Sequence, residues 1–158
     1  MWEAQPPLEP NTSMLDSIDQ SIVRALDRNA RTSIKELSTL VGLSSPSVSE
    51  RLRRLEERGV IAAFTIRIAP EALGYTLQAI VHVRSMPGML RKLQQLIQQT
   101  PEFVECDKVT GDDDFIGRLY VQSMAHLDKI LDRFHDYARL STAMVKTSPV
   151  ARRLPPLR

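Results

Sequence analysis

Apolar residues in the first third of the chain recur every three to four positions, the spacing of a helix with one buried face. Leu15, Ile18, Ile22 and Leu26 mark a first helix, with Asp16 placed to cap it and Asn29-Ala30-Arg31 ending it. Ser33 followed by Glu36 forms a capping box ahead of a second, short helix whose buried face is Leu37, Leu40 and Val41. Gly42 permits the sharp exit. Ser45 as cap and Pro46 at the first helical position then restart a third helix, with Val48, Leu52 and Leu55 facing inward. A stop and restart this close is a helix-turn-helix, whose second helix enters a DNA major groove.

After Gly59 the period changes from about 3.6 to about 2. Val60–Ile68 reads as a strand stopped by Pro70, and 69–75 as a linker with a turn of helix. Beyond it the pattern predicts strand 76–85, helix 88–99, strand 102–109, turn 110–114, strand 115–122, helix 124–138 and strand 142–150. That βαββαβ order is a ferredoxin-like sandwich with helices on one sheet face. Ala79, Val81 and Val83 alternate with Ile80, His82 and Arg84, so the uncovered face keeps apolar surface. Such a face calls for a partner, and a homodimer stacked sheet to sheet is expected. The fold class is therefore α+β: a winged-type helix-turn-helix followed by a ferredoxin-like domain. The boundaries are a disordered arm at 1–14, the helix-turn-helix at 15–59, a linking strand and linker at 60–75, the ferredoxin-like domain at 76–150 and a basic tail at 151–158.

Side-chain chemistry fits this division. The third helix presents Glu50, Arg53, Arg54 and Glu57 away from its buried stripe, with Ser47, Arg51 and Arg58 along one edge and Ser49 along the other. Serine hydroxyls serve base edges or phosphates, and arginine grips guanine or phosphate through two parallel bonds. Ser44, Ser45, Ser47, Ser49, Arg51, Arg53 and Arg54 are the candidate DNA contacts, with Arg31 and Lys35 as phosphate-holding neighbours. The net charge is only +2, and residues 15–70 carry nine basic against seven acidic side chains. DNA affinity must therefore come from local arrangement.

Other functions find little support. The single cysteine, Cys106, rules out an internal disulfide, fits a reducing cytosol and reads as a small core residue. No apolar run approaches the roughly 20 residues of a membrane span. The N-terminal stretch lacks a signal peptide's basic and apolar regions, and Trp2 sits there among three prolines in ten residues. His82, His126 and His135 lack metal-ligand spacing, and no phosphate-binding or nucleophile motif occurs, so no catalytic, metal or cofactor site is expected. Two further readings stand beside DNA binding. One is an amino-acid-sensing module that acts on a protein partner. The other is RNA stacking on Phe103, Phe115 and Tyr120, a small set in a chain that is 5% aromatic.

Three segments in order resemble the leucine-responsive and asparagine-responsive regulators, the Lrp/AsnC family: LDSIDQSIVRAL with NAR at 15–31, VGLSSPSVSERLRRLEERGVI at 41–61 and EFVECDKVTGDDDF at 102–115. The resemblance implies a prokaryotic, cytoplasmic, nucleoid-associated transcription factor on double-stranded DNA. It implies dimers that build octamers or other rings, and a small effector, usually an amino acid, bound between dimers. It marks Thr110, Gly111, Asp112, Asp114 and Thr147 as effector-site candidates. The turn's backbone N–H groups could hold a carboxylate, and Asp112 and Asp114 an α-ammonium, although Gly and Asp also make a plain hairpin turn. Two departures stand out. Asp113 replaces the family's bulky residue, and three adjacent acids predict a basic effector or weakened amino-acid binding. Pro149 interrupts the last strand, leaving its register open.

Overall fold

The computed structural model describes residues 15–150 and 152–157. The arm at 1–14, with Trp2, lies outside the described residues. The chain divides into two units, one running to Arg67 and taking in the stretch from Arg152, the other beginning at Ile68.

The first unit is three helices around a small core. α1 (Ser17–Arg28) starts where the Asp16 carboxylate accepts the Asp19 N–H at 2.7 Å. α2 (Ile34–Val41) opens on a complete capping box: the Ser33 N–H donates to Glu36 Oε2 at 2.7 Å and the Glu36 N–H to Ser33 Oγ at 3.2 Å. Gly42 closes α2 at φ 68°, a left-handed conformation that glycine adopts without steric cost. α3 (Ser45–Glu57) follows directly. Its cap is Ser44, not Ser45: the Ser44 hydroxyl accepts from the Ser47 N–H, which places Ser45 and Pro46 both inside the first turn. Ile22, Leu37, Val48 and Leu55 are fully or almost fully buried and hold the helices together. Leu154 and Leu157 pack against this core too, so the stretch read as a basic tail is also an apolar flap on the helical unit.

The second unit is a four-stranded antiparallel sheet under two helices. Its elements are β1 (Leu77–Ser85), α4 (Leu90–Gln98), β2 (Phe103–Lys108), β3 (Phe115–Val121), α5 (Met124–Asp132) and β4 (Ala138–Met144), with strand order β2-β3-β1-β4. Ala79, Val81, Val83, Leu119 and Val121 face the helices and pack on Leu93, Ile97, Leu127, Ile130 and Phe134. The opposite face carries Ile80, His82, Ile116, Arg118 and Tyr120, all half-buried. Phe103 meets Phe134 edge-on at 5.6 Å, and its ring fills the space that a side chain on Gly117 would need. Phe103 and Phe115 both belong to the helix side, leaving Tyr120 alone on the open face. That removes the stacking surface an RNA reading requires.

Four expectations change. Residues 60–68 form no strand, because no other described strand lies alongside to pair with their backbone; Phe64, Ile66 and Ile68 are exposed. α5 ends at Asp132, where successive tight turns carry the chain to Ala138. The apolar spacing continues through Phe134 and Tyr137, with no Gly or Pro to mark the stop. β4 therefore begins at Ala138 and ends at Met144, placing Pro149 outside the sheet. Cys106 sits exposed on the edge strand β2, not in the core.

Candidate DNA interface and effector turn

The outer face of α3 is built by its buried face. Val48 and Leu55 lock the helix by one side, so Ser45, Ser47, Ser49, Arg53 and Arg54 stand exposed on the rest. Ser45 and Ser49 lead the helix into solvent at its N-terminal half, the part that reaches base edges in helix-turn-helix proteins. Ser44 and Ser47 share a hydroxyl hydrogen bond of 2.8 Å beside the cap, which fixes the entry to the helix. Arg31 and Lys35 are exposed near the start of α2, and the Arg31 N–H donates to the Asn29 side chain at 3.0 Å.

The three arginines of α3 separate into two kinds. Arg51 Nη1 donates to Asp16 Oδ2 at 2.6 Å and to Asp19 Oδ1 at 2.8 Å, and the Arg51 side chain is only 30% exposed. Asp19 is almost buried and needs that partner. Arg51 is thus a tie between α1 and α3, a role that its reading as a DNA contact did not include. The Asp16 carboxyl is held below its usual range by the Asp19 N–H and then by the Arg51 guanidinium. Arg53 and Arg54 are open instead, 57% and 65% exposed, and their salt bridges among the described residues are to acids of their own helix.

The β2–β3 turn is pinned from β1. The Asp114 N–H donates to the Val83 carbonyl at 2.9 Å. Asp114 Oδ2 accepts from the Ser85 N–H at 2.8 Å and the Ser85 hydroxyl at 2.6 Å, which hold its carboxyl below the usual range. Asp113 Oδ2 meets His82 Nδ1 at 2.9 Å, and Asp112 stands 95% exposed with Arg84 Nη2 at 3.7 Å. Gly111 has φ 120°, a region closed to most side chains, with open space where a Cβ would project.

A winged helix-turn-helix DNA-binding model matches residues 15–62, and an Lrp/AsnC ligand binding domain model matches residues 78–155. The transcriptional regulator FL11 of Pyrococcus horikoshii is 35% identical over 118 residues, covering 75% of this chain and 78% of that protein. The chain belongs to the Lrp/AsnC family. The regulator LrpA of Mycobacterium tuberculosis is 34% identical over 129 residues, 81% of this chain and 86% of that one. Among solved structures, the feast or famine regulatory protein of M. tuberculosis complexed with L-methionine superposes with a TM-score of 0.81 at 30% identity, covering 89% of this chain and 98% of that one. This protein is accordingly a DNA-binding transcriptional regulator of the Lrp/AsnC type.

Against that family frame the effector candidates sort unevenly. Thr110, Gly111 and Asp112 are exposed together on the turn. Asp114 is spent on Ser85 and acts as the turn's anchor, not as an open acceptor. Thr147 does not join them within one chain. The turn hangs from the Val83–Ser85 end of β1, whereas Val145, two residues before Thr147, donates to Gln78 at the other end. A strand rise of about 3.3 Å per residue puts roughly 20 Å between those ends. His82, Arg84 and Ser85 were missed as neighbours of the turn. Their signal was present in β1, where alternation places His82 and Arg84 on the open face beside the β3 strand that the turn feeds.

Proposed function

We propose that this Lrp/AsnC regulator reads paired DNA half-sites with Ser45, Ser47, Ser49, Arg53 and Arg54, and that an amino acid at the 110–112 turn shifts its assembly or DNA affinity. The exposed serine and arginine face of α3, fixed by its capped N-terminus and buried Val48 and Leu55, carries the reading. Arg31 and Lys35 supply phosphate contacts that set register without reading sequence. A homodimer closes over the Ile80, Ile116 and Tyr120 face, and two recognition helices then meet half-sites about one helical turn apart. Dimers build larger rings, and the protein works in the cytoplasm on the nucleoid.

The effector is a neutral amino acid. Three adjacent acids suggested a basic one, but Asp113 is met by His82, Asp114 by Ser85, and the exposed Asp112 has the Arg84 guanidinium 3.7 Å away. One exposed acid suits an α-ammonium, and the N–H groups beside Gly111 suit an α-carboxylate. The L-methionine complex of the M. tuberculosis relative supports a ligand of this kind. Calorimetry against the twenty amino acids, run alongside DNA-binding anisotropy, tests the proposal. Tightest binding by a neutral amino acid that also shifts DNA affinity is the expected result. Tightest binding by lysine or arginine would reject the neutral effector, and DNA affinity unmoved by every amino acid would reject effector control.

A further inference from the structure

Arg53 and Arg54 are adjacent, equally charged and similarly exposed, yet Glu50 treats them differently. Its carboxylate takes Arg53 side-on, Oε2 accepting from Nε at 3.0 Å and Oε1 from Nη2 at 2.7 Å. Glu57 takes Arg53 Nη1 from the next turn. All three nitrogens of that guanidinium are therefore committed to acids of the same helix. Arg54 gives Glu50 only its Nε, at 3.0 Å. Both of its terminal nitrogens, the pair that grips guanine O6 and N7, point onward without a partner among the described residues.

We infer that Glu50 determines specificity in the recognition helix, holding Arg53 back from DNA phosphates while aiming Arg54 at a base edge. The inference rests on the assignment of α3 as the groove helix. Its physical basis is competition. A phosphate offers Arg53 what Glu50 and Glu57 already supply, a charged oxygen pair in fork geometry, so ordinary duplex gains little by recruiting it. Glu50 also places a negative charge on the approach face, and nonspecific binding depends almost wholly on the phosphate term. Arg54 is different, since its Nε bond to Glu50 stiffens the root of the side chain and leaves the reading end open. The carboxylate persists throughout the working pH range, its pKa held down to about 2 by the hydrogen bonds from Arg53 and then by the one from Arg54. The pairs are exposed and individually weak, so a well-placed guanine can still draw the arginines across.

Glu50→Gln tests this in the full-length protein, with anisotropy on an operator duplex and on a random duplex across a salt series. The Gln side chain keeps the shape and removes the charge. Random-duplex affinity should rise on the order of fivefold at about 0.15 M salt, with a slope of log K against log salt steeper by about 0.9, as one freed guanidinium finds a phosphate. Operator affinity should rise less, so the ratio of operator to random affinity falls. The same substitution in an Arg53→Ala, Arg54→Ala background should no longer steepen the slope, which separates release of the arginines from simple loss of a negative charge. Unchanged random-duplex affinity in Glu50→Gln, or an equal gain with and without the arginines, overturns the role of Glu50. If the arginine double variant weakens operator binding in either case, the DNA assignment of α3 stands and only the Glu50 inference falls. A double variant that binds like the native protein removes both.

Discussion

Arg51 shows how one side chain can carry the outward signature of a DNA contact and the function of a structural tie. From the sequence it lies on the flank of the helix among serines and other arginines. Only the tertiary fold brings Asp16 and Asp19, 35 and 32 residues away in sequence, to its guanidinium. Arg51→Ala should cost about 2 kcal/mol of stability, since Asp19 is left buried with its charge uncompensated. A fall in the urea midpoint checks it, and an unchanged midpoint would return Arg51 to the DNA face. Asp114 carries a pH signature at the turn. Its folded pKa lies below the ordinary aspartate value, so the stability it contributes is present above that ordinary value and fades as pH falls through the lowered one. Asp114→Asn should lower the urea midpoint at pH 6, and the gap from the native protein should narrow by pH 3. A gap of constant width would mean the carboxylate charge is not what Ser85 binds.

At the scale of elements, local chemistry made the helical unit legible. Asp16, the Ser33–Glu36 box and Gly42 are all short-range signals, and each marks a boundary observed in the structure. The cap of α3 slipped by one residue because Ser44 and Ser45 are both good caps, and only the hydroxyl geometry chooses between them. The end of α5 was illegible for a different reason: Phe134 and Tyr137 keep helical spacing while the backbone has already passed into tight turns. Residues 60–68 have strand composition, but strand formation is a property of two segments, and no second one pairs with them among the described residues. Gly117 records a contact that no sequence pattern announces, the close approach of Phe103 across two strands. A Cβ there would lie 2.4 Å from the Phe103 ring, so Gly117→Ala should displace that ring from Phe134 and destabilise the sheet unit by about 1–3 kcal/mol. Thermal melts followed by near-ultraviolet circular dichroism would register both effects, and a native-like melt would show that Phe103 yields freely.

For the whole molecule, the change of hydrophobic period near Gly59 separated a helical DNA-binding part from a sheet-based part, and the two matched family models, over 15–62 and 78–155, divide the chain just beyond it. The candidate effector site was legible only in part. Thr110, Gly111 and Asp112 form an exposed turn as read, but the local field of the acids could not be read without His82 and Ser85 from a strand about thirty residues earlier. The alternation of β1 showed that the opposite sheet face keeps apolar surface, and the proposed homodimer would cover it. Ile80→Asp on that face should convert a dimer or larger ring to monomer, as read by light scattering during size-exclusion chromatography. Retention of the native mass would place the interface elsewhere.

The proposed function depends above all on the exposed face of α3 meeting DNA through Arg53 and Arg54. The most direct test is fluorescence anisotropy of the native protein and the Arg53→Ala, Arg54→Ala variant on an operator duplex found among fragments flanking its own gene. Loss of about 1–3 kcal/mol per base contact predicts at least a tenfold weaker complex, with the helical circular dichroism unchanged. Native affinity in a folded double variant would move the groove-reading surface off this helix.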